Sequence, residues 1–254
     1  MEFEVLLSCM HQKDTAIVKE MGITSPILVI NQCDEEARTE NGNIRMISVP
    51  ERGLSKSRNL ALKEAKGRIC LLADDDEVME DGLEEKVLAA FEEIPDADVI
   101  AFKVMDFPSR LGDRKRQLKR SDALKVYSKE IAFKRESVAG RLSFDENLGA
   151  GTGNGGGEDN KFVLDCMKAG LKVYYMPVSV ARVDKSGSTW FSGYDGKFFH
   201  DRGRTTRYIL GVPLSFMYAI YYAVTKRGLY KDEISAPKAL GWMLKGIFAK
   251  KIGK

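Results

Sequence analysis

Apolar runs of strand length alternate with amphipathic runs of helix length over most of this chain, and that alternation limits the fold more than any other feature. Residues 4–8, 26–30, 44–49, 69–73, 98–104 and 171–176 read as strands. Helical stretches lie between them. One covers 14–21 and stops at Gly22. The next is capped by Ser55, carries Leu60, Ala61, Leu62 and Ala65, and stops at Gly67. Another opens at Asp81-Gly82 with Leu83, Val87, Leu88 and Phe91 on one face. The last runs from Glu158 to Gly170. This β-α-β order predicts an α/β fold, a mainly parallel sheet with helices on both faces. Ligands of such sheets bind at the carboxyl ends of the strands.

Asp74-Asp75-Asp76 stands at one such end. Three crowded carboxylates repel one another and are best tolerated beside a cation. Hard oxygen donors suit Mn²⁺ or Mg²⁺, ions that also bridge phosphates. A solvated acidic turn is the competing reading. Asp34 follows the second strand, so it is expected on the same edge of the sheet as the Asp cluster.

Glycines at 149, 151, 153 and 155–157 precede Glu158-Asp159 at a helix start. So much glycine permits unusual backbone angles and close approach to a ligand. Alone, the two acids are ordinary first-turn residues favoured by the helix dipole. A phosphate-binding P-loop is excluded, because no Gly-Lys-Ser/Thr follows. A basic stretch at 109–120, with Arg110, Arg114, Lys115, Arg116, Lys119 and Arg120, reads as a solvated loop or as a clamp for an anionic acceptor.

At 254 residues, 44% of them hydrophobic and 30% charged, the chain is a folded protein with room for one large domain or a domain plus an appendage. Cys9, Cys33, Cys70 and Cys166 are far apart and read as free thiols, which suits a reducing cytoplasm. The opening Met1-Glu2-Phe3-Glu4 has no signal-peptide pattern. Charge is uneven. Residues 197–254 hold 12 Lys/Arg against 3 Asp/Glu, whereas 1–196 hold 28 against 34. A basic tail on an acidic body points to an anionic surface as partner. Residues 208–225 are uncharged but interrupted by Pro213, which favours an interfacial or docked helix over a spanning one. Residues 238–254 read as a cationic amphipathic helix suited to an anionic membrane.

The full order of motifs is more specific than any one of them. Asp34 is followed by Gly53-Leu54-Ser55-Lys56-Ser57-Arg58-Asn59, then Gly67, the Asp74–Asp76 strand end, Phe144-Asp145-Glu146 and Gly157-Glu158-Asp159. Over roughly residues 3–190 the chain resembles the family 2 glycosyltransferases of bacterial capsule and exopolysaccharide assembly. That resemblance implies a GT-A fold, with a Rossmann-like mixed sheet in 1–190 and a helical, membrane-associated extension in 191–254. It also implies roles. Asp34 would contact the nucleotide base, and Arg58, Asp74 and Asp75 would lie at the nucleotide. Asp76, with Asp74, would hold Mn²⁺ or Mg²⁺. Asp159 would be the general base, with Glu158 as runner-up. The pattern departs from the family at Ser8-Cys9-Met10-His11-Gln12, where Pro-Thr-Tyr-Asn is usual. It departs again at 181–185, where many relatives carry a His. His200 could replace that His, although a surface His is the better reading.

The implied activity is inverting transfer of a sugar from a nucleotide-sugar, UDP by family default, to a lipid-linked or polysaccharide acceptor at the inner face of the cell membrane. A sugar-phosphate nucleotidyltransferase is the first alternative, but the Gly-rich basic loop it needs after the first strand is missing. A non-enzymatic binder of anionic surfaces or nucleic acid is the second, and no nucleic-acid motif supports it.

Overall fold

The computed structural model describes residues 1–105, 111–127, 131–183, 193–250 and 252–253. Parts of three expectations lie outside these residues: Ser109 and Arg110 of the basic stretch, Asp184 and Lys185, and the tail cations Lys251 and Lys254. The described chain divides into two compact units, 1–146 with 158–188, and 147–157 with 189–254.

The first unit is built on one ten-stranded mixed sheet. Its strands are β1 (Phe3–Met10), β2 (Ile27–Gln32), β3 (Ala37–Asn41), β4 (Ile44–Val49), β5 (Ile69–Asp74), β6 (Glu77–Met79), β7 (Val99–Met105), β8 (Arg116–Gln117), β9 (Ile131–Lys134) and β10 (Val173–Val183). The spatial order is β3-β4-β2-β1-β5-β9-β7-β10-β6, and β8 pairs with β10. Every strand expected from the sequence is present. The parallel pairs are β4-β2, β2-β1, β1-β5 and β7-β10. The unexpected strands β3, β6, β8 and β9 all pair antiparallel. They are short or polar and carry little periodicity.

Helices α1 (Ala16–Glu20), α2 (Leu54–Glu64), α3 (Leu83–Glu93), α4 (Arg135–Val138) and α5 (Glu158–Lys168) complete this unit. Alternate residues of β1 show both faces buried. Phe3, Val5 and Leu7 join the core made with Ile17 and Val18 of α1 and Val87 and Phe91 of α3. On the other face Ser8 meets Ser57 of α2, Oγ to Oγ at 2.8 Å. A sheet covered on both faces has apolar strands without alternation, as the sequence shows. Two helix boundaries differ from expectation. Ser55 lies inside α2; the cap is Gly53, at φ +123° and without a side-chain bond. Gly67 lies beyond the end of α2, where a Cβ would sit 2.6 Å from Glu4 Cβ. Its value is close packing against β1, where Glu4 accepts from the backbone N–H of Lys66 and Gly67 and pairs with Arg45 at 2.7 Å.

The second unit holds α6 (Gly196–Leu210), α7 (Val212–Thr225) and α8 (Ala236–Phe248). The uncharged stretch 208–225 is not one helix, because Gly211 at φ +77° breaks it. No described helix is long and apolar enough to cross a membrane. Of the apolar residues of α8 expected at a membrane, Met243 and Ile247 are buried with Ala239, Phe199, Tyr222 and Tyr230, whereas Trp242 and Phe248 are exposed. Gly203 and Gly246 let the backbones of α6 and α8 touch: a Cβ on Gly246 would lie 1.9 Å from the carbonyl oxygen of His200. The glycine-rich segment belongs to this unit. Its Gly157, at φ +91°, is closely approached by Thr205 of α6, so the tight packing expected around a ligand is there satisfied by protein.

Candidate active site

The carboxyl ends of β1, β2 and β5 lie together because Ser8 pairs with both Ile30 and Asp74. The turn after β1 is fixed there, with Gln12 N–H donating to Asn31 Oδ1 at 2.9 Å and Asn31 Nδ2 donating back to Gln12 O. Asp34 follows β2 and its side chain is 92% exposed, held by Arg52 at 2.5 Å. Asp74 closes β5, and its N–H is bonded by Glu77 Oε2 at 3.0 Å.

Arg58 of α2 joins what the sequence keeps apart. Its Nη2 donates to both oxygens of Asp74, at 2.8 and 3.2 Å. Its Nη1 donates to Asp159 Oδ1 at 2.6 Å and lies 3.5 Å from Glu158 Oε1. The Arg58 side chain is only 2% exposed. Expected beside a nucleotide, it is found enclosed, spanning a strand end and the first turn of α5. Burial opposes its charge, but Asp74, Asp159 and Glu158 outweigh that, so its pKa is raised. Below it, Phe144 stacks on Phe162 with centroids 4.2 Å apart, and the guanidinium lies 5.3 Å from the Phe144 ring. Asn59 fixes that support: its Oδ1 accepts from Phe144 N–H at 2.7 Å and its Nδ2 donates to Phe144 O and Glu146 Oε1. The Arg-Asn pair and Phe144-Asp145-Glu146 were legible as motifs. Their contact, 85 positions apart, was not.

Glu158 and Asp159 differ in setting. Glu158 is buried and its Oε2 has no hydrogen-bond partner among the described residues. Burial first, then the Asp159 charge, push its carboxyl up to about 7, against the pull of Arg58. Asp159 is the more open, at 15% exposure. An ordinary Glu ionises near 4.5 in the unfolded chain. Between that value and about 7 the folded state therefore binds more protons than the unfolded one, and stability falls as pH rises through this window. Replacing Glu158 with Gln should flatten that fall, so that wild type loses roughly 5 °C of melting temperature relative to the variant between pH 5 and pH 8. Parallel melting curves at every pH would show that Glu158 stays ionised.

Asp75 and Asp76 occupy the turn between β5 and β6. Burial and repulsion by Asp74 and Asp76 raise the Asp75 carboxyl above its ordinary value, a stress that a divalent cation would relieve. Among the described residues no three metal-ligating side chains converge, and Asp74 is tied to Arg58. An ion at this turn would be held by few carboxylates, with a substrate's oxygens filling its other positions. His200 lies on α6, with Nδ1 3.2 Å from Asp201.

Residues 30–146 match the family described as glycosyl transferase family 2. The match covers a little under half of the chain. The matched stretch includes Asp34, Arg58, Asn59 and Asp74–Asp76, and it ends before Glu158 and Asp159. No curated protein matches the chain in sequence. Among solved structures it is similar to S. aureus TarS, with TM-score 0.58 and 14% identity over 99% of this chain and 44% of that one. TarS 1–349 in complex with UDP-GlcNAc gives 0.57 and 16%, covering 99% of this chain and 74% of that one. The mannosyltransferase PcManGT from Pyrobaculum calidifontis, in complex with GDP-Man and Mn²⁺, gives 0.51 and 14% over 96% of this chain and 73% of that one. These likenesses are of fold, the GT-A type. The chain spans less than half the length of the TarS chain.

Proposed function

We propose that this chain is an inverting, metal-dependent glycosyltransferase. It moves a sugar from a nucleotide-sugar, a UDP-sugar by preference, to a hydroxyl of a lipid-linked or polysaccharide acceptor. The observation that carries this reading is the Arg58 bridge, which brings the strand-end acid Asp74 and the helix-start acid Asp159 onto one guanidinium. The fold neighbours add support, since TarS 1–349 was solved with UDP and with UDP-GlcNAc, and PcManGT with GDP-Man.

Asp34, exposed past β2, would meet the base, and Asp75 the neighbouring sugar or phosphate. Asp76, with Asp74 steadied by Arg58, would hold Mn²⁺ or Mg²⁺. When bound, the ion neutralises charge gathering on the diphosphate leaving group. Asp159 takes the proton of the acceptor hydroxyl. That oxygen then attacks the anomeric carbon from the side opposite the departing diphosphate, so the configuration inverts and no covalent enzyme intermediate forms. Arg58 keeps the Asp159 carboxylate aimed while the proton moves. Cell-surface polysaccharide synthesis at the cytoplasmic face of the membrane is the setting we infer, supported by the basic C-terminal unit and the exposed apolar face of α7. The test is the anomeric configuration of the product by NMR. An α-linked donor should yield a β-linked product; retention would remove Asp159 from the role of base in a single displacement.

A further inference from the structure

The last turns of α6, the start of α7 and the chain just past α8 line an open cleft of about 330 Å³, with Arg204, Arg207, Lys250, Tyr208, Val212 and Ile252 on its walls. None of its three cations meets a carboxylate among the described residues. Arg204 donates from Nε to Lys250 O at 3.1 Å, and Arg207 from Nη1 to Ile247 O at 2.7 Å and Ala249 O at 2.9 Å. These bonds cap the end of α8 and fix both guanidinium planes. Capping accounts for those donors. It does not account for the exposed Lys250 ammonium, nor for a cleft whose charged lining is all of one sign.

Val212 of the cleft wall also begins the exposed face of α7. Phe216, Met217, Ile220, Tyr221 and Val224 continue that face, with Met217 66% and Val224 69% exposed. At 100° per residue Met217, Ile220, Tyr221 and Val224 form one uncharged arc opposite the buried Ser215, Ala219 and Tyr222, and Val212 and Phe216 stand at its border beside Ala223. Lys226 and Arg227 follow at its far end. An apolar stripe with cations at both ends matches an anionic bilayer: hydrocarbon takes the stripe and headgroups take the charges.

We propose that the cleft binds the phosphate of an anionic lipid while α7 lies in the interfacial layer of the same bilayer. The inference rests on the membrane-facing reading above and names the group the membrane presents. Fixed guanidinium planes suit phosphate oxygens, which accept paired charge-assisted bonds. Continuity of the cleft with the apolar stripe favours a phosphate that carries hydrocarbon over a free ion.

Flotation of the full chain with phosphatidylcholine vesicles, with and without phosphatidic acid and with no donor present, tests this. Wild type should bind the acidic vesicles about tenfold more strongly. Lys250→Glu and Arg204→Gln should each remove about tenfold of that binding, and Lys238→Glu, the same charge change on α8 away from the cleft, less than about twofold. Met217→Ser with Val224→Ser should also weaken it without changing the melting temperature. Equal losses from Lys238→Glu and Lys250→Glu would mean diffuse charge and overturn the proposal. So would inorganic phosphate binding the cleft alone while the α7 variant kept full vesicle binding, since the ligand would then be a free ion. Self-association through α7 with no vesicle binding would assign the stripe to a second copy and overturn it as well. Donor binding and sugar transfer are measured without vesicles, so a failure here stands apart from a failure of the transferase reading.

Discussion

Replacing Arg58 with Met is expected to cost about 3–5 kcal/mol of stability, the usual consequence of leaving buried charges without their partner. Asp74, Glu158 and Asp159 all face this one guanidinium. Without it, three neighbouring carboxylates lose the guanidinium that all of them face. Melting should fall by roughly 10 °C at pH 8. The loss should shrink at pH 5, where protonation relieves the repulsion. Arg58→Lys should recover only part of it, because one ammonium cannot span Asp74 and Asp159 as a planar fork does. Transfer activity should fall with the geometry of Asp159. A variant as stable as wild type at pH 8 would mean that water already screens the acids, and Arg58 would lose its place as the strut of the site.

Asp159→Asn should lower kcat by about a thousandfold, within the range expected when a general base is removed. The amide keeps the size of the carboxylate and an oxygen that can accept from Arg58, so the fold and donor affinity should stay within about twofold of wild type. Stopped activity with intact donor binding separates a lost base from a collapsed site. If Asp159→Asn transferred sugar at the normal rate and Glu158→Gln did not, the base would be Glu158.

The parallel core of the sheet was legible because strands buried on both faces must be apolar throughout. Residues 44–49 match β4 residue for residue. Of the strands that went unseen, β9 is apolar and buried but only four residues long, and the other three had no such pressure. β3, Ala-Arg-Thr-Glu-Asn, is exposed at every position on the sheet edge, and β6 and β8 are three and two residues long. The acids of the site were visible as sequence because each stands at the end or start of an element. The bond that organises them was not visible, since Arg58 is 101 positions from Asp159. In the tail, apolar content was plain, but which helix buries it was not. Gly203 and Gly246 decide that, by admitting the α6 and α8 backbones to contact and leaving α7 with the exposed stripe. Glycine offers no hydrophobic signal, so pattern reading could not tell that α8 buries Ala239, Met243 and Ile247 while α7 keeps its apolar side chains exposed.

A nucleotide-sugar site closed by a divalent ion at the end of β5 should show itself in donor binding. Calorimetric titration of UDP-, GDP- and dTDP-sugars into the protein with Mn²⁺ or Mg²⁺, repeated with EDTA and with Asp76→Ala, needs no acceptor. One nucleotide class, UDP foremost, should bind, and both EDTA and Asp76→Ala should weaken that binding by about tenfold or more. Absence of binding to every donor in the presence of metal, or binding indifferent to both EDTA and Asp76→Ala, would contradict it.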